Sequence, residues 1–299
     1  MGKNSTYKIL FKLLSENIKI LPDKPDETIE STIRDLWLFV YSKNPDNGTF
    51  TNGNLPLLCN RKTNELFELV QKRIDGVPLA YLLGKTKFLN IDIDISPGAM
   101  IPRKETEMLV LHSLDLLRQI SDTRKPVNVV DTCTGSGNIA LAIALYHENA
   151  KVWANDISIE AINIAQQNAV RLNVVDRITF STGDLLAPYL SNGLTGNTDL
   201  ITCNPPYISS RTLERMPREI IDYEPDLAFD GGPLGITILN RIHTQGYLLL
   251  RNGGWLCTEV GAGQGNIVAE RLRRSGKWDE VREIHDANGI VRVILAKKK

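Results

Sequence analysis

Residues 127–137 have the sequence VNVVDTCTGSG, in which a short apolar strand runs directly into a glycine-containing turn. The next segment, residues 138–146, is apolar and predicts a helix. Glycines between a strand and a helix let a ligand approach the backbone at the positive end of the helix. A second predicted strand, residues 151–156, ends in Asp156, roughly twenty residues after the glycines. A carboxylate at this spacing reaches ribose hydroxyls, so the pattern predicts a nucleotide-binding α/β domain.

Strands and helices continue to alternate towards the C-terminus. The further predicted elements are a helix at 157–172, strands at 177–181 and 200–203, a helix at 235–250, a strand at 254–260, a helix at 266–274 and strands at 280–285 and 290–296. This alternation predicts a mostly parallel sheet with helices on both faces, and the last two strands suit an antiparallel edge. The loop with Asp184 and Leu185, after the third strand, is expected to lie over the base of a bound adenosine.

The fourth strand stops at Asn204-Pro205-Pro206-Tyr207. Proline lacks an N–H and keeps the preceding residue extended, so the side-chain oxygen of Asn204 and a backbone carbonyl can form a fork of two acceptors. A planar –NH2 group is the natural guest, and Tyr207 adds a flat apolar wall. Methylation of an amide or an exocyclic amine needs this arrangement. Two prolines alone also end ordinary strands; the position downstream of the glycine turn favours the catalytic interpretation.

The glycine turn does not identify the cofactor, because dinucleotide dehydrogenases share it. S-adenosylmethionine is favoured over a nicotinamide because the chain has no second glycine-rich half and because the fourth strand ends in the acceptor fork. Residues 207–234 form a long connection beside the expected cleft, which predicts a lid.

The first third of the chain predicts a different organisation. Apolar stripes predict three helices, near residues 10–18, 29–40 and 64–74, with a polar loop at 42–54. Alternation of apolar and polar residues then predicts a strand at 89–95, a turn at 96–98 and a return strand from 99 to 101. A helix is predicted to follow and to run to about residue 117, and Arg103 before it could pair with a carboxylate near the cleft or stay solvated.

Composition excludes several function classes. Lys+Arg and Asp+Glu both number 35, and the resulting zero net charge argues against binding of nucleic acid through bulk positive charge. The four cysteines are far apart without a CxxC motif, so neither disulfides nor a metal site are expected and a reducing compartment is favoured. No apolar run approaches the length of a membrane span. Gly2 fits a loose myristoylation pattern that we attribute to chance, and the N-terminus does not resemble a mitochondrial transit peptide.

With these motifs in order, the sequence resembles the protein-(glutamine-N5) methyltransferases that modify peptide chain release factors. The resemblance extends from about residue 76 to the C-terminus. It is carried by Pro78-Leu79-Ala80-Tyr81 with Gly84, Ile101-Pro102-Arg103-Lys104-Glu105-Thr106-Glu107, Asp131 with Gly135-Ser136-Gly137, Asn204-Pro205-Pro206-Tyr207, Tyr223-Glu224-Pro225 with Asp230-Gly231-Gly232, and Glu259-Val260-Gly261.

The resemblance implies an α/β fold with a seven-stranded, Rossmann-like class I S-adenosylmethionine-dependent methyltransferase domain. It implies a helical substrate-docking domain at 1–84, a β-hairpin linker at 85–103 and the methyltransferase domain at 104–299. The implied reaction is N5-methylation of the glutamine in the Gly-Gly-Gln motif of a class I release factor. The enzyme would act in the cytoplasm, or in the mitochondrial matrix if the source is eukaryotic, without a membrane or direct nucleic-acid partner.

The resemblance also implies roles for particular residues. Asn204, Pro205 and Tyr207 are the implied catalytic residues, and Pro206 and Arg103 join them in binding the substrate. The implied cofactor-binding residues are Cys133, Thr134, Gly135, Ser136, Gly137, Asp156, Asp184, Leu185 and Asn204. Three positions depart from the family pattern: Cys133 replaces a usual Gly, Lys104 replaces a usual Pro, and Leu185 replaces an aromatic found in some members.

Three alternatives remain open on sequence alone. An adenine-N6 methyltransferase uses the same kind of fork, but the zero net charge and the absence of an evident basic target-recognition domain disfavour it. A glutamine methyltransferase that acts on a ribosomal protein is poorly separated by sequence. A non-catalytic nucleotide-binding adaptor is disfavoured because all the fork residues are present.

Overall fold

The computed structural model describes residues 3–42, 55–123, 125–191 and 193–299. The predicted loop at 42–54 lies outside these residues except for Ser42, which ends a helix, and Gly2 of the N-terminal pattern also lies outside them. None of the helices in the described part of the chain is both long and apolar enough to cross a membrane.

The chain begins with helices, continues through a hairpin and then alternates strands and helices. In chain order the elements are α1 (Lys3–Asn17), α2 (Ile29–Ser42), α3 (Asn60–Ile74), α4 (Leu79–Leu83), β1 (Lys85–Phe88), β2 (Ile91–Asp94), α5 (Thr106–Ser121), β3 (Val127–Thr132), α6 (Asn138–Tyr146), β4 (Ala150–Asp156), α7 (Ile159–Arg171), β5 (Ile178–Thr182), β6 (Thr198–Cys203), α8 (Ser210–Leu213), α9 (Arg218–Ile221), α10 (Thr237–Leu249), β7 (Leu250–Glu259), α11 (Gly265–Arg274), β8 (Trp278–His285) and β9 (Val291–Lys298).

Seven strands form one sheet in the order β5-β4-β3-β6-β7-β9-β8. The first five strands of this order are parallel, and β9 is antiparallel to both β7 and β8. The predicted fold class is therefore confirmed, including the antiparallel edge. After β3 the chain moves outward to β4 and β5, then returns to the other side of β3 with β6. Ligands of open α/β sheets bind at such a switch point, outside the carboxyl ends of the strands.

Helices cover both faces of the sheet, and the side chains of each strand alternate between these two faces. Val129 packs with α5 and α6 in one core cluster, whereas its neighbour Val130 packs with α10 and α11 in the other. Nearly every residue of β3 and β6 is buried, as expected for central parallel strands. This double burial fixes the strand ends that carry the candidate site.

The N-terminal helices have a separate apolar core built from the predicted stripes. Leu10, Leu14, Ile33, Leu36 and Leu66 are fully buried there. The third helix begins at Asn60, four residues earlier than the apolar stripe indicated. That residues 1–84 form a domain that docks the substrate stays a prediction.

The predicted hairpin exists, but its turn and second strand were predicted wrongly. β1 and β2 pair antiparallel around Leu89 and Asn90, whose φ angles of 47° and 64° form the tight turn. No strand occurs at residues 99–101. The error has a physical cause: β1 has the polar sequence KTKF with one buried residue, so it carries no alternation, and Leu89 gives no turn signal.

The segment 207–234 contains the short helices α8 and α9 and spans the edge of the candidate site. Its Glu219 forms ion pairs with Lys24 and with Arg73 of α3, at 3.1 Å for Arg73. Tyr223 donates a long hydrogen bond of 3.4 Å to the Asp75 carbonyl. These contacts join the segment to the N-terminal helices, and its function as a lid stays a prediction.

Candidate active site

The predicted functional residues converge at the carboxyl edge of the sheet. Residues 133–137 follow β3, Asp156 ends β4, residues 183–185 follow β5, and residues 204–207 follow β6. Since β3 and β6 are direct neighbours, the glycine turn and the acceptor fork lie side by side at the switch point.

Asp131, on β3, links the glycine turn to strand β6 through hydrogen bonds. It is fully buried and accepts hydrogen bonds from Thr134 in the turn, at 2.6 Å, and from Thr202 on β6, at 2.7 Å. Burial raises the pKa of Asp131 to about 7, while the two threonine hydroxyls favour its ionised form. The carboxylate therefore couples the position of the cofactor turn to the strand that delivers Asn204.

The glycine turn adopts a left-handed backbone at three positions. Cys133, Gly135 and Gly137 have φ angles of 57°, 55° and 87°. Gly137 precedes the nine-residue helix α6, so the turn opens on the positive end of a helix dipole. A Cβ at Gly135 would meet no atom within 4 Å, which shows that this side of the turn faces open space.

Asp156 is tied to the turn by its carboxylate. Its Oδ2 accepts the Gly135 N–H at 2.9 Å and its Oδ1 accepts the Ser158 N–H at 3.0 Å. Burial raises the pKa of Asp156, and these backbone donors oppose the shift. Each oxygen keeps a further lone pair, so the carboxylate can still accept from two ligand hydroxyls.

The loop after β5 is held by Asn155 of β4, which donates to the Leu185 carbonyl at 2.7 Å. Asp184 forms an ion pair with Arg241. The Leu185 side chain is buried in the core beneath α10, so it offers a ligand its backbone rather than its side chain. Ile157, a large apolar side chain that is 53% exposed beside Asp156, is a candidate wall that sequence reasoning missed.

These residues fit S-adenosylmethionine. The open side of Gly135 gives access to the backbone, the N-terminus of α6 supplies unpaired N–H groups, and Asp156 retains acceptor capacity for a ribose. Cys133 itself has a φ angle of 57°, a conformation that glycine adopts more readily than other residues. The roles of individual residues towards the cofactor stay predictions.

The Asn204 amide is hydrogen-bonded to the first residue of α5. Its Nδ2 donates to the Thr106 hydroxyl at 3.0 Å, and its Oδ1 accepts no hydrogen bond from the part of the chain that the structure describes. The Pro205 carbonyl likewise receives no hydrogen bond from the described residues. Both oxygens are thus available as acceptors, as the predicted fork requires, and both residues line the same cavity.

Tyr207 is held from both ends. Its hydroxyl donates to Glu259 Oε1 at 3.2 Å, and its carbonyl accepts from the Gln264 side chain at 2.9 Å. Glycine is required around this segment: a Cβ on Gly235 would lie 2.2 Å from the Tyr207 carbonyl oxygen and one on Gly231 would lie 2.8 Å from the Pro206 carbonyl oxygen. Burial raises the pKa of Tyr207, with Glu259 adding to the shift, so the hydroxyl remains a donor.

A cavity of about 140 Å³ opens beside the fork, and its lining combines both ends of the chain. The segment 207–234 contributes apolar side chains, including Met216, Ile220 and Phe229. The polar residues that line the cavity are Asp23, Arg103, Glu105, Asn204, Tyr207, Glu259 and Arg292. An elongated side chain that ends in a carboxamide suits this mixture of apolar walls and acceptors.

Arg103 pairs with carboxylates, as one of the two sequence interpretations expected. Its guanidinium lies 2.6 Å from Glu224 and 3.0 Å from Asp23. Glu224 also accepts the Ile101 N–H at 2.9 Å, so Arg103 fastens the linker to the segment 207–234. Its substrate-binding role stays a prediction, because its charge is already shared between two acids.

Four residues at the site had no predicted role: Thr106, Glu105, Glu259 and Arg292. All but Arg292 lie in the motifs that carry the family resemblance. Glu259 ends β7, and an acid at the end of a buried strand was the available signal. Arg292 lies on β9 and had no signal, because only the antiparallel return of β9 brings it to the carboxyl edge.

The chain is similar to known methyltransferases. A family model described as methyltransferase small domain matches residues 112–252. The release factor glutamine methyltransferase of Moorella thermoacetica is 36% identical over 233 residues, which cover 78% of this chain and 79% of that protein. The protein of the same name from Bacillus subtilis is 34% identical over 227 residues, covering 76% and 77%.

The fold also matches solved structures. A human methyltransferase 10 domain containing protein superimposes with a TM-score of 0.52 over 70% of this chain and 88% of that chain, at 19% identity. At this identity the likeness concerns the fold alone.

Proposed function

Because the chain belongs to the release factor glutamine methyltransferase family, we propose that it methylates the side-chain nitrogen of a glutamine in a peptide chain release factor. The implied acceptor is the glutamine of a Gly-Gly-Gln motif, and the methyl donor is S-adenosylmethionine. The observation that carries the proposal is the pair of unengaged acceptors, Asn204 Oδ1 and the Pro205 carbonyl, beside the glycine turn at the switch point of the sheet.

The fork explains how a weak nucleophile can react. An amide nitrogen is a poor nucleophile because its lone pair is delocalised into the carbonyl. Acceptors for both of its N–H bonds fix its orientation and stabilise the positive charge that develops on it. Bound S-adenosylmethionine supplies an electrophilic methyl group on a sulfonium, and the proton can leave the nitrogen after transfer. No strong base is needed within the fork.

The surroundings of the fork suit a protein acceptor. A groove of about 800 Å³ runs between the N-terminal helices, the hairpin and the linker, and Arg103 lines both this groove and the small cavity. Acidic and basic residues line the groove in similar number, as expected for a groove that binds a protein rather than a polyanion. We propose that the helical domain and this groove dock the release factor, and that nucleic acid is not the acceptor.

The test is methylation of purified release factor with labelled S-adenosylmethionine, followed by mass spectrometry of the Gly-Gly-Gln peptide. One methyl group on the glutamine is expected with wild-type release factor, and none on a Gly-Gly-Ala control. A ribosomal-protein extract and adenine-containing oligonucleotides serve as competing acceptors. Labelling of either in preference to the release factor would overturn the proposal.

A further inference from the structure

The orientation of the Asn204 amide depends on its partner, Thr106, the first residue of α5. Thr106 is 1% exposed and its Oγ1 receives the Asn204 Nδ2–H at 3.0 Å. A hydroxyl can also donate, however, and would then hold the amide in the opposite orientation. Thr106 therefore selects one orientation only if its own proton is committed to another acceptor.

The Thr106 hydroxyl faces the carboxylate of Glu259. The Glu259 side chain is 1% exposed, its Oε1 accepts from Tyr207, and its buried Oε2 has no hydrogen-bond partner among the described residues, which leaves that oxygen available as an acceptor. Burial raises the pKa of Glu259 to about 7. The groups that face it are the Thr106 hydroxyl, Arg292 of β9 and the Tyr207 hydroxyl, which favour the ionised carboxylate, and Glu105, which disfavours it.

We propose that Thr106 and Glu259 form a positioning relay for the acceptor amide. Ionised Glu259 accepts the Thr106 hydroxyl proton, the Thr106 oxygen accepts the Asn204 Nδ2–H, and Asn204 Oδ1 is thereby directed at the acceptor –NH2 group. The same carboxylate holds the Tyr207 ring, so one buried charge orients both polar side chains of the fork. The inference rests on the proposed function, because it assumes a carboxamide acceptor.

The relay has a direct chemical consequence. When the amide is reversed, Asn204 presents its own N–H groups to the N–H groups of the acceptor, and the fork keeps one acceptor instead of two. The acceptor nitrogen is then misaligned at the moment of transfer, whereas docking of the release factor elsewhere on the surface is unaffected. The rate constant kcat should therefore change much more than KM.

The test compares two substitutions of Thr106. Thr106→Val keeps the shape and removes the hydroxyl, and kcat is expected to fall by up to about 100-fold, the loss that misplacement of a reacting group can cause. KM for the release factor and affinity for S-adenosylmethionine should stay within about threefold of the wild type, a margin that holds when binding is not involved. Thr106→Ser keeps the hydroxyl and should restore most of kcat.

The matched control is Thr198→Val at the opposite end of β6. Thr198 is also buried, and its hydroxyl makes a hydrogen bond away from the site, to the Leu194 carbonyl at 3.2 Å. This variant should keep wild-type kcat. A Thr106→Val enzyme as active as the control, or a Thr106→Ser enzyme as inactive as Thr106→Val, would overturn the relay while leaving the proposed function intact, because the wild type would still methylate the release factor.

A second variant decides the matter if Thr106→Val does not fold. In the wild type, kcat should fall as pH decreases through about 7, because a proton on Glu259 Oε2 makes that oxygen a donor towards Thr106 instead of an acceptor. Glu259→Gln cannot ionise, so its kcat should not change with pH across this range. A Glu259→Gln enzyme with the wild-type pH profile would contradict the relay.

Discussion

Alanine at the two glycines of the cofactor turn, Gly135 and Gly137, should have different effects. We expect Gly137→Ala to lower stability more and Gly135→Ala to lower cofactor affinity more. Both Gly135 and Gly137 have positive φ angles, so an alanine at either position costs about 1–2 kcal/mol of backbone strain. At Gly135 the new Cβ meets nothing within 4 Å. At Gly137 it would lie 3.0 Å from the Cβ and 3.3 Å from the Cα of Ala165 on α7, and 3.1 Å from Leu141. Overpacking of this kind costs a further 1–3 kcal/mol or so.

We therefore expect Gly135→Ala to lower the free energy of unfolding by about 1–2 kcal/mol and Gly137→Ala by about 2–5 kcal/mol, from the sum of strain and overpacking. Affinity for S-adenosylmethionine should show the reverse order, because the Gly135 methyl projects into the open side of the turn. Urea denaturation and calorimetric titration measure the two effects. Equal losses of stability, or wild-type cofactor affinity in Gly135→Ala, would refute the reasoning.

Three further predictions concern charged groups. Asp156→Ala should weaken S-adenosylmethionine binding at least about tenfold, since a charge-assisted hydrogen bond is lost, and an unchanged dissociation constant by calorimetry would count against its role. Arg73→Met leaves the buried acids Glu27 and Glu219 short of a partner and should lower the free energy of unfolding by about 3–5 kcal/mol, and a loss below about 1 kcal/mol in urea denaturation would be inconsistent with this pairing. The pKa of Glu259 is raised from 4.5 to about 7 by burial, so the folded state binds more protons than the unfolded state in this window. Stability from this group should decrease as pH rises from about 4.5 to 7, and Glu259→Gln should remove that contribution in denaturation measured across the window.

The sheet was predictable because its central strands are buried on both faces. Such strands are rich in apolar residues, as β3 and β6 are, and both were placed to within about two residues. The turn at Leu89 and Asn90 was not predictable, because two non-glycine residues take positive φ there and β1 has little apolar character. Turn chemistry is a weak guide where tertiary contacts impose the conformation.

The candidate site was predictable only where its residues are local in sequence. Asn204 and Pro205 derive their geometry from the two prolines, and residues 133–137 derive theirs from a strand-to-helix turn. Thr106, Glu259 and Arg292 come from three separate elements, α5, β7 and β9, and meet only because the sheet brings their ends together. A sequence pattern cannot show a contact that depends on strand order.

The fork also explains why the surrounding segments are constrained. Glycines at 231, 235 and 261 leave room for the backbone and ring of residues 206–207, and Gln264 bonds the Tyr207 carbonyl. Rigid support of this kind keeps acceptors within the narrow tolerance that positioning catalysis needs.

In the proposed mechanism, Asn204 Oδ1 and the Pro205 carbonyl present the acceptor amide for methyl transfer. The most direct measurement is single-turnover methylation of release factor by Asn204→Ala, with S-adenosylmethionine affinity determined on the same preparation. We expect a rate at least about 100-fold below the wild type, the loss typical of removing one preorganised polar contact, with cofactor affinity largely retained. Methylation of the Gly-Gly-Gln glutamine at a rate close to the wild type would contradict it.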